Sequence, residues 1–182
     1  MKIVITIIML ILGQVVSAAE PEYLKYRQMF GIKASNLSGY GAFYGFKPTQ
    51  KVRIQATGIY YLFDRKVMDE HWKITDYTIG MEIQKDIIQE MNYRYYIMAG
   101  SYYYHDDDKT ESSKFSHVIK DSYNWGAGIG YEYFFRRVTL GLEFGYKFYN
   151  DHSKETDGTT GWIPVLERVS KLGAGLNLGF IF

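Results

Sequence analysis

The segment from Arg168 to Phe182 alternates. Leu172, Ala174, Leu176, Leu178, Phe180 and Phe182 hold one set of positions; Lys171, Gly173, Gly175, Asn177 and Gly179, with Ile181, hold the other. A period of two puts these sets on opposite faces of a β-strand. The stretch is much longer than the usual soluble strand of about 5–6 residues, and it suits a tilted bilayer crossing, which takes about 9–11 residues. Similar alternation recurs along the chain, yet after Ala19 no apolar run approaches the ~20 residues that a spanning helix requires. If such a chain enters a membrane it must do so as a closed barrel, because lipid offers no partner to an open backbone edge.

The amino terminus reads differently. Met1-Lys2 precedes an apolar run from Ile3 to Leu12 and then Gly13-Gln-Val-Val-Ser-Ala-Ala19. A positive start, an apolar core and a small-residue site make an export signal, cleaved after Ala18 or Ala19. Residues 20–182 then form one domain. The chain has no Cys, so an exported form gains nothing from disulfides. A net charge of +1 supplies no basic field for nucleic acid.

After a polar lead-in at 20–27, the pattern gives eight strands, at about 28–36, 40–47, 51–63, 72–85, 92–104, 121–134, 137–149 and 168–182. The connections after the second, fourth and sixth are short. Those after the third, fifth and seventh are longer polar stretches, 64–71, 105–120 and 150–167. Leu37-Ser-Gly39 departs from this rule by being short. An even strand count with short turns at one end and long loops at the other describes an all-β, eight-stranded antiparallel up-and-down transmembrane barrel.

A soluble eight-stranded barrel would show the same alternation with its apolar side inward. Three features favour the inverted arrangement. The apolar faces end in Tyr, Trp and Phe, as an interfacial girdle does. The polar faces carry Gly and charges of both signs, and the connections are asymmetric in length. The expected inward charges are Lys33, Arg53, Arg94, Lys147 and Lys171 with Asp76, Glu82, Glu132 and Glu143. An eight-stranded lumen is just wide enough to be filled by side chains, and buried charges must be paired. The expectation is an ion-pair network that closes the lumen.

Together, the signal, the eight strands and the aromatic terminus resemble the small outer-membrane barrels of Gram-negative bacteria, of the OmpX/Ail, opacity-protein and outer-membrane protein A transmembrane-domain type. In that class the last strand carries a signal read by the barrel-assembly machinery, and Lys171, Gly173, Leu176 and Leu178, followed by Phe180 and terminal Phe182, match its pattern. The resemblance implies an outer-membrane location among lipid and lipopolysaccharide, and roles in adhesion, serum resistance or envelope integrity, none of which transfers by residue.

The sequence offers little catalytic chemistry. His152-Ser153 resembles the ingredients of outer-membrane lipid A deacylases, in which His and Ser lie two apart on a strand; here they are adjacent, in an expected loop. Ser101 and Ser170 face outward with no His on their strands. The run Asp106-Asp107-Asp108, with Glu111, suggests a divalent cation or a basic partner, or simply a charged loop, because it lacks a cage-like ligand spacing. His71, His105, His117 and His152 all fall in loops or rims without zinc-site spacing. Trp162 heads an apolar island, Trp162–Leu166, that suits rim packing or a contact patch. The expectation is a monomeric, non-enzymatic barrel without cofactor or metal, acting in envelope structure or adhesion, with Asp106, Asp107, Asp108 and Trp162 as candidate contacts for an extracellular ligand. A lipid-modifying enzyme and a narrow porin-like channel are the alternatives.

Overall fold

A computed structural model describes residues 21–182 apart from 69, 112–115 and 157–160. The expected export signal at the amino terminus lies outside the described residues. Eight strands follow a single 3-10 turn at Glu22–Lys25: β1 (Gln28–Ser35), β2 (Gly39–Thr49), β3 (Val52–Val67), β4 (Glu70–Gln89), β5 (Tyr93–Glu111), β6 (Ser116–Phe135), β7 (Val138–Thr156) and β8 (Ile163–Ile181). Each pairs antiparallel with its sequence neighbours, and β1 pairs with β8, so the sheet closes. Backbone hydrogen bonds in both directions between Gln28 and Phe182 extend that seam to the carboxyl-terminal residue. Closure leaves no edge along the paired seam.

The barrel is inverted relative to a soluble one. Ile79, Met81, Ile83, Ile129, Leu142, Phe144, Leu172, Leu176 and Leu178 point outward and are exposed, while Lys33, Arg53, Glu82, Arg94, Glu132 and Glu143 are buried inside. An apolar exterior around a polar interior is the arrangement of a barrel solvated by lipid. Aromatic rings bound the belt. Near the chain termini, Tyr93, Tyr95 and Tyr131 cluster with centroids 5.1–5.8 Å apart, and Phe30 meets Phe180 and Phe182 at 5.9 Å. At the opposite boundary Tyr60, Tyr77, Tyr103 and Tyr123 run side by side across four strands. Tyr95 and Tyr103 lie eight positions apart on β5. At about 3.3 Å per residue and a tilt of about 40°, that is roughly 20 Å, near the ~25 Å apolar band of such barrels.

Strand lengths differ from the sequence expectation, and the difference shapes the molecule. The stretches 64–71, 105–120 and 150–167, expected as loops, are largely strand, because β3 to β8 continue beyond the belt in register. Their polar composition hid this: in water both faces of a sheet can be polar, so no apolar alternation marks the extension. β4 runs on to Gln89, with a register shift between Asp86 and Ile88.

The first hairpin does not join the extension. β1 and β2 have 8 and 11 residues against 16–20 for the others. Its turn bends into the lumen, with Leu37 and Ser38 at 0% and 1% exposure. Leu37 packs with Tyr96 and Met98. Gly39 makes the bend possible with a φ of 102°, a left-handed conformation that costs a residue bearing Cβ. Opposite the turn the wall is glycine: a Cβ on Gly80 or Gly126 would overlap the backbone of Ser38 or Leu37. Asn36 ties the turn to β8, its amide nitrogen donating to the Ala174 carbonyl at 3.2 Å and its Oδ1 accepting from the Ala174 amide at 2.9 Å. Beyond this point β3 pairs only with β4 and β8 only with β7 among the described residues. The upper part is therefore a six-stranded, open-sided trough standing on a closed barrel.

Candidate functional site: a sealed lumen beneath an open vestibule

The lower lumen is held by one connected set of charges. Arg53 Nη1 donates to both carboxylate oxygens of Glu132, at 3.0 and 2.9 Å, and Arg94 Nε donates to the same carboxylate at 2.6 Å. Arg94 also reaches Asp86 and the Gln84 side-chain carbonyl. Gln84 Nε2 donates to Glu82 at 2.5 Å, which links this layer to the next. There Lys33 Nζ lies 2.5 Å from Glu82 and 2.6 Å from Glu143. Ser35 and Tyr96 hydroxyls donate to Glu143 at 2.9 and 3.3 Å, and the Tyr96 ring carries the Arg94 guanidinium 4.2 Å above its centroid. Arg94 and Glu132 are both 0% exposed. Strand alternation puts these groups on the inner face; cross-strand spacing brings opposite charges within hydrogen-bond reach.

Two members escaped the sequence reading. Asp86 lies in an expected connection and Lys47 at the last position of the second expected strand, yet both extend the period of two inward on β4 and β2 and are buried. With them, the buried lumen charges are Lys33, Lys47, Arg53 and Arg94 against Glu82, Asp86, Glu132 and Glu143. The signs balance. Lys47 Nζ has no hydrogen-bond acceptor among the described residues and lies 5.1 Å over the Tyr23 ring. Tyr23 belongs to the segment expected as a polar lead-in. Instead it is buried in the terminal mouth, stacked on Phe134 at 3.8 Å between centroids, and it caps the lumen there. The aromatic at 23 in a charged stretch was the available signal.

Three expected network members sit elsewhere. Asp76 lies beyond the Tyr77 girdle, directly across from Asp106, so its cross-strand partner on β5 is an acid. Burial, then the hydrogen bond and charge of Asp106, push its carboxyl up to about 6. Lys147 and Lys171 lie above the Leu37 turn, as direct cross-strand partners. Their ammonium groups stand 4.7 and 4.9 Å from the centroid of one ring, Tyr149, and neither has a carboxylate partner among the described residues. The inserted turn separates both from Glu82 and Glu143, which Lys33 already satisfies.

Above that turn the trough encloses a vestibule of about 330 Å³, whose lining includes Tyr40, Tyr102, Tyr104, Tyr149, Lys147 and Lys171. Asn124, 1% exposed, has an Oδ1 on the same wall without a partner among the described residues. Lys120, also on it, is neutralised by Asp151 at 2.7 Å, and that carboxylate takes a further bond from Ser122.

The other sequence candidates are divided by strand geometry. Asp106, Asp107 and Asp108 are on β5, not in a loop. Successive residues face opposite ways, so Asp107 meets His117 on the outer face at 2.8 Å while Asp106 and Asp108 face inward. The run cannot converge on one ion. His71 and His105 are likewise on strands and paired, with Asp64 and Asp121, each at 2.8 Å. His152 and Ser153 are neighbours on β7 and so point to opposite faces, which opposes a nucleophile–base pair. Trp162 stands just before β8 and packs edge-on against His117 at 4.9 Å. In β8, Lys171 and Gly173 face the lumen side, and Leu176 and Leu178 are exposed on the belt.

No protein-family model matches this chain, and no curated protein matches it. In shape it is similar to solved outer-membrane proteins. A major outer membrane protein from Thermus thermophilus is 12% identical, with 85% of this chain and 99% of that one covered and a TM-score of 0.49. CarO of Acinetobacter baumannii is 7% identical, at coverages of 86% and 98% and a TM-score of 0.41. The outer membrane protease OmpT of Escherichia coli is 10% identical, at 86% and 95% and 0.46. The eight-stranded architecture rests on the strand pairing of this chain itself.

Proposed function

We propose that this protein is a non-enzymatic barrel of a Gram-negative-type outer membrane, acting in envelope structure or surface interaction through the trough that stands clear of the lipid. One observation carries the reading: an exposed apolar belt surrounds a lumen closed by a balanced ionic network, so the shape serves anchoring and display rather than passage. The termini and short turns lie at the periplasmic end and the trough at the outer end, the usual orientation of such barrels. Lipid and lipopolysaccharide surround the belt. The β8 pattern ending in Phe180 and Phe182 addresses the chain to the barrel-assembly machinery, and the products of export and assembly are monomers.

Membrane fractionation with protease shaving of intact cells tests this. The expected result is recovery with the outer membrane and cleavage confined to the ends of β3 to β8. A mature chain that is folded and soluble without detergent would overturn it.

A further inference from the structure

The lower lumen balances its buried cations with as many anions, but the vestibule does not. Lys147 and Lys171 oppose each other across β7 and β8. Like charges at directly opposed strand positions are destabilising, and no carboxylate among the described residues pairs with either. The nearby acids are engaged: Asp151 by Lys120 and Ser122, and Glu167 by the Tyr149 hydroxyl at 3.4 Å. What the two ammonium groups share is an aromatic ring and a cavity.

We infer that the vestibule is a binding site for a phosphorylated sugar, with the phosphate held between Lys147 and Lys171. A phosphate monoester carries about −1.5 to −2 charges and three strong acceptor oxygens, which suits two ammonium donors that line one cavity. The sugar lies against the tyrosines. Tyr40 and Tyr102 rings pack at 6.2 Å and Tyr40 and Tyr104 at 6.0 Å on a wall that Lys147 also reaches, its Nζ 5.4 Å from the Tyr102 centroid. Aromatic side chains with a polar tip give a sugar both a flat apolar face and hydroxyl partners. The unpartnered Asn124 Oδ1, buried in the same wall, has the acceptor a sugar hydroxyl would satisfy. Access comes from above and from the side, because beyond Asn36 β8 pairs only with β7 among the described residues and Lys171 stands on its open side. The same chemistry therefore admits a soluble sugar phosphate or the phosphorylated headgroup of an outer-leaflet glycolipid.

This deepens the surface-interaction reading and rests on it. The test uses the full mature chain refolded in detergent micelles, titrated calorimetrically with glucose 1-phosphate, glucose and inorganic phosphate. Glucose 1-phosphate is expected to bind at least tenfold more tightly than either of the others. Lys147→Met with Lys171→Met should reduce its affinity by at least tenfold, while Lys154→Met, at an exposed β7 lysine outside the vestibule, should change it less than twofold. Heat-modifiable gel mobility shows that each variant is folded; removal of the like-charge pair should leave it unchanged or more heat-resistant. A second arm compares nanodiscs with and without a phosphorylated glycolipid. A glycolipid that competes with glucose 1-phosphate through the two lysines identifies the headgroup as the source, and absence of competition identifies the soluble sugar. Glucose 1-phosphate that does not bind, binds no better than inorganic phosphate, or is indifferent to the double substitution would overturn the site. Any of those results leaves membrane fractionation unaffected, so failure of the site and failure of the barrel reading remain distinct.

Discussion

Below the Leu37 turn eight strands enclose one interior, and above it six of them bound a different one. Below, eight buried charges cancel and most share hydrogen bonds across the lumen. Above, the wall opens between β3 and β8, Asp76 faces Asp106, and Lys147 faces Lys171. Where water is excluded, charges must be matched, because an unpaired one costs several kcal/mol. Where water enters, mismatch is inexpensive, and it is there that unmatched groups remain available to a ligand. The first hairpin creates the contrast. By being short and turning inward, it plugs the closed part and leaves the rest one wall short.

Removing one partner from the closed part should have the largest effect. Arg94→Ala strands Glu132 and Asp86 without their shared cation, and breaking a buried pair in this way costs about 3–5 kcal/mol. The unfolding midpoint of the refolded barrel, followed by heat-modifiable mobility, should fall markedly. Lys120→Ala, which breaks a partly exposed pair in the trough, should cost only about 0–1 kcal/mol. Equal effects from the two would erase the distinction between the regions.

Next comes the plug. Leu37→Ala deletes a fully buried side chain from contact with Tyr96 and Met98, with a loss of about 2–5 kcal/mol depending on how far the site collapses. Planar-bilayer conductance should nevertheless stay at background, since the Arg94 layer still closes the lumen beneath. Conductance that rises with this single change would assign the seal to the turn and make the ionic layers secondary.

The two regions were not equally legible in the sequence. The closed part was, because lipid outside and a narrow lumen inside impose opposite demands on alternate residues, and the pattern from Leu172 to Phe182 carries both. The inward positions of Lys33, Arg53, Glu82, Arg94, Glu132 and Glu143 follow from that pattern alone. The trough was not legible. With water on both faces, the residues 105–111 and 150–156 need no alternation, and hydrogen-bonded strand there looks like polar loop. Nor did the shortness of Leu37–Gly39 disclose its direction: an inward turn and a plain hairpin have the same length. The glycines opposite it, Gly80, Gly100, Gly126 and Gly173, stand on the polar faces of the sequence pattern, but only the fold shows that one turn takes much of the space beside them.

The periplasmic mouth offers a smaller test. Tyr23→Ala removes the ring stacked on Phe134 and the face beneath Lys47. Such a ring pair contributes about 0.5–1.5 kcal/mol beyond area burial. The segment 21–27 should become more accessible to added protease in micelles, with little change in the barrel's own unfolding midpoint. A midpoint that falls as far as for Arg94→Ala would mean that the cap and the ionic layers form one cooperative unit.

The weakest expected effect lies farthest from the lipid. Burial and Asp106 raise the Asp76 carboxyl to about 6 from an ordinary value near 4. A carboxyl that holds its proton more tightly in the folded state stabilises that state fully below its unfolded value and loses this contribution as pH rises through 6. The trough should therefore be firmer at pH 4 than at pH 7.5. Asp76 is only partly buried, so solvent screening keeps the difference to a fraction of about 1 kcal/mol. Amide exchange along 74–78 and 104–108, corrected for intrinsic rates, should slow at the lower pH. Asp76→Asn, which keeps the shape without the charge, should slow exchange at pH 7.5 and flatten the pH dependence, leaving amides around Arg94 and Glu132 as they were. If the asparagine variant retains the full pH dependence, the facing pair Asp76 and Asp106 is not its origin, and His105 paired with Asp121 becomes the group to substitute next.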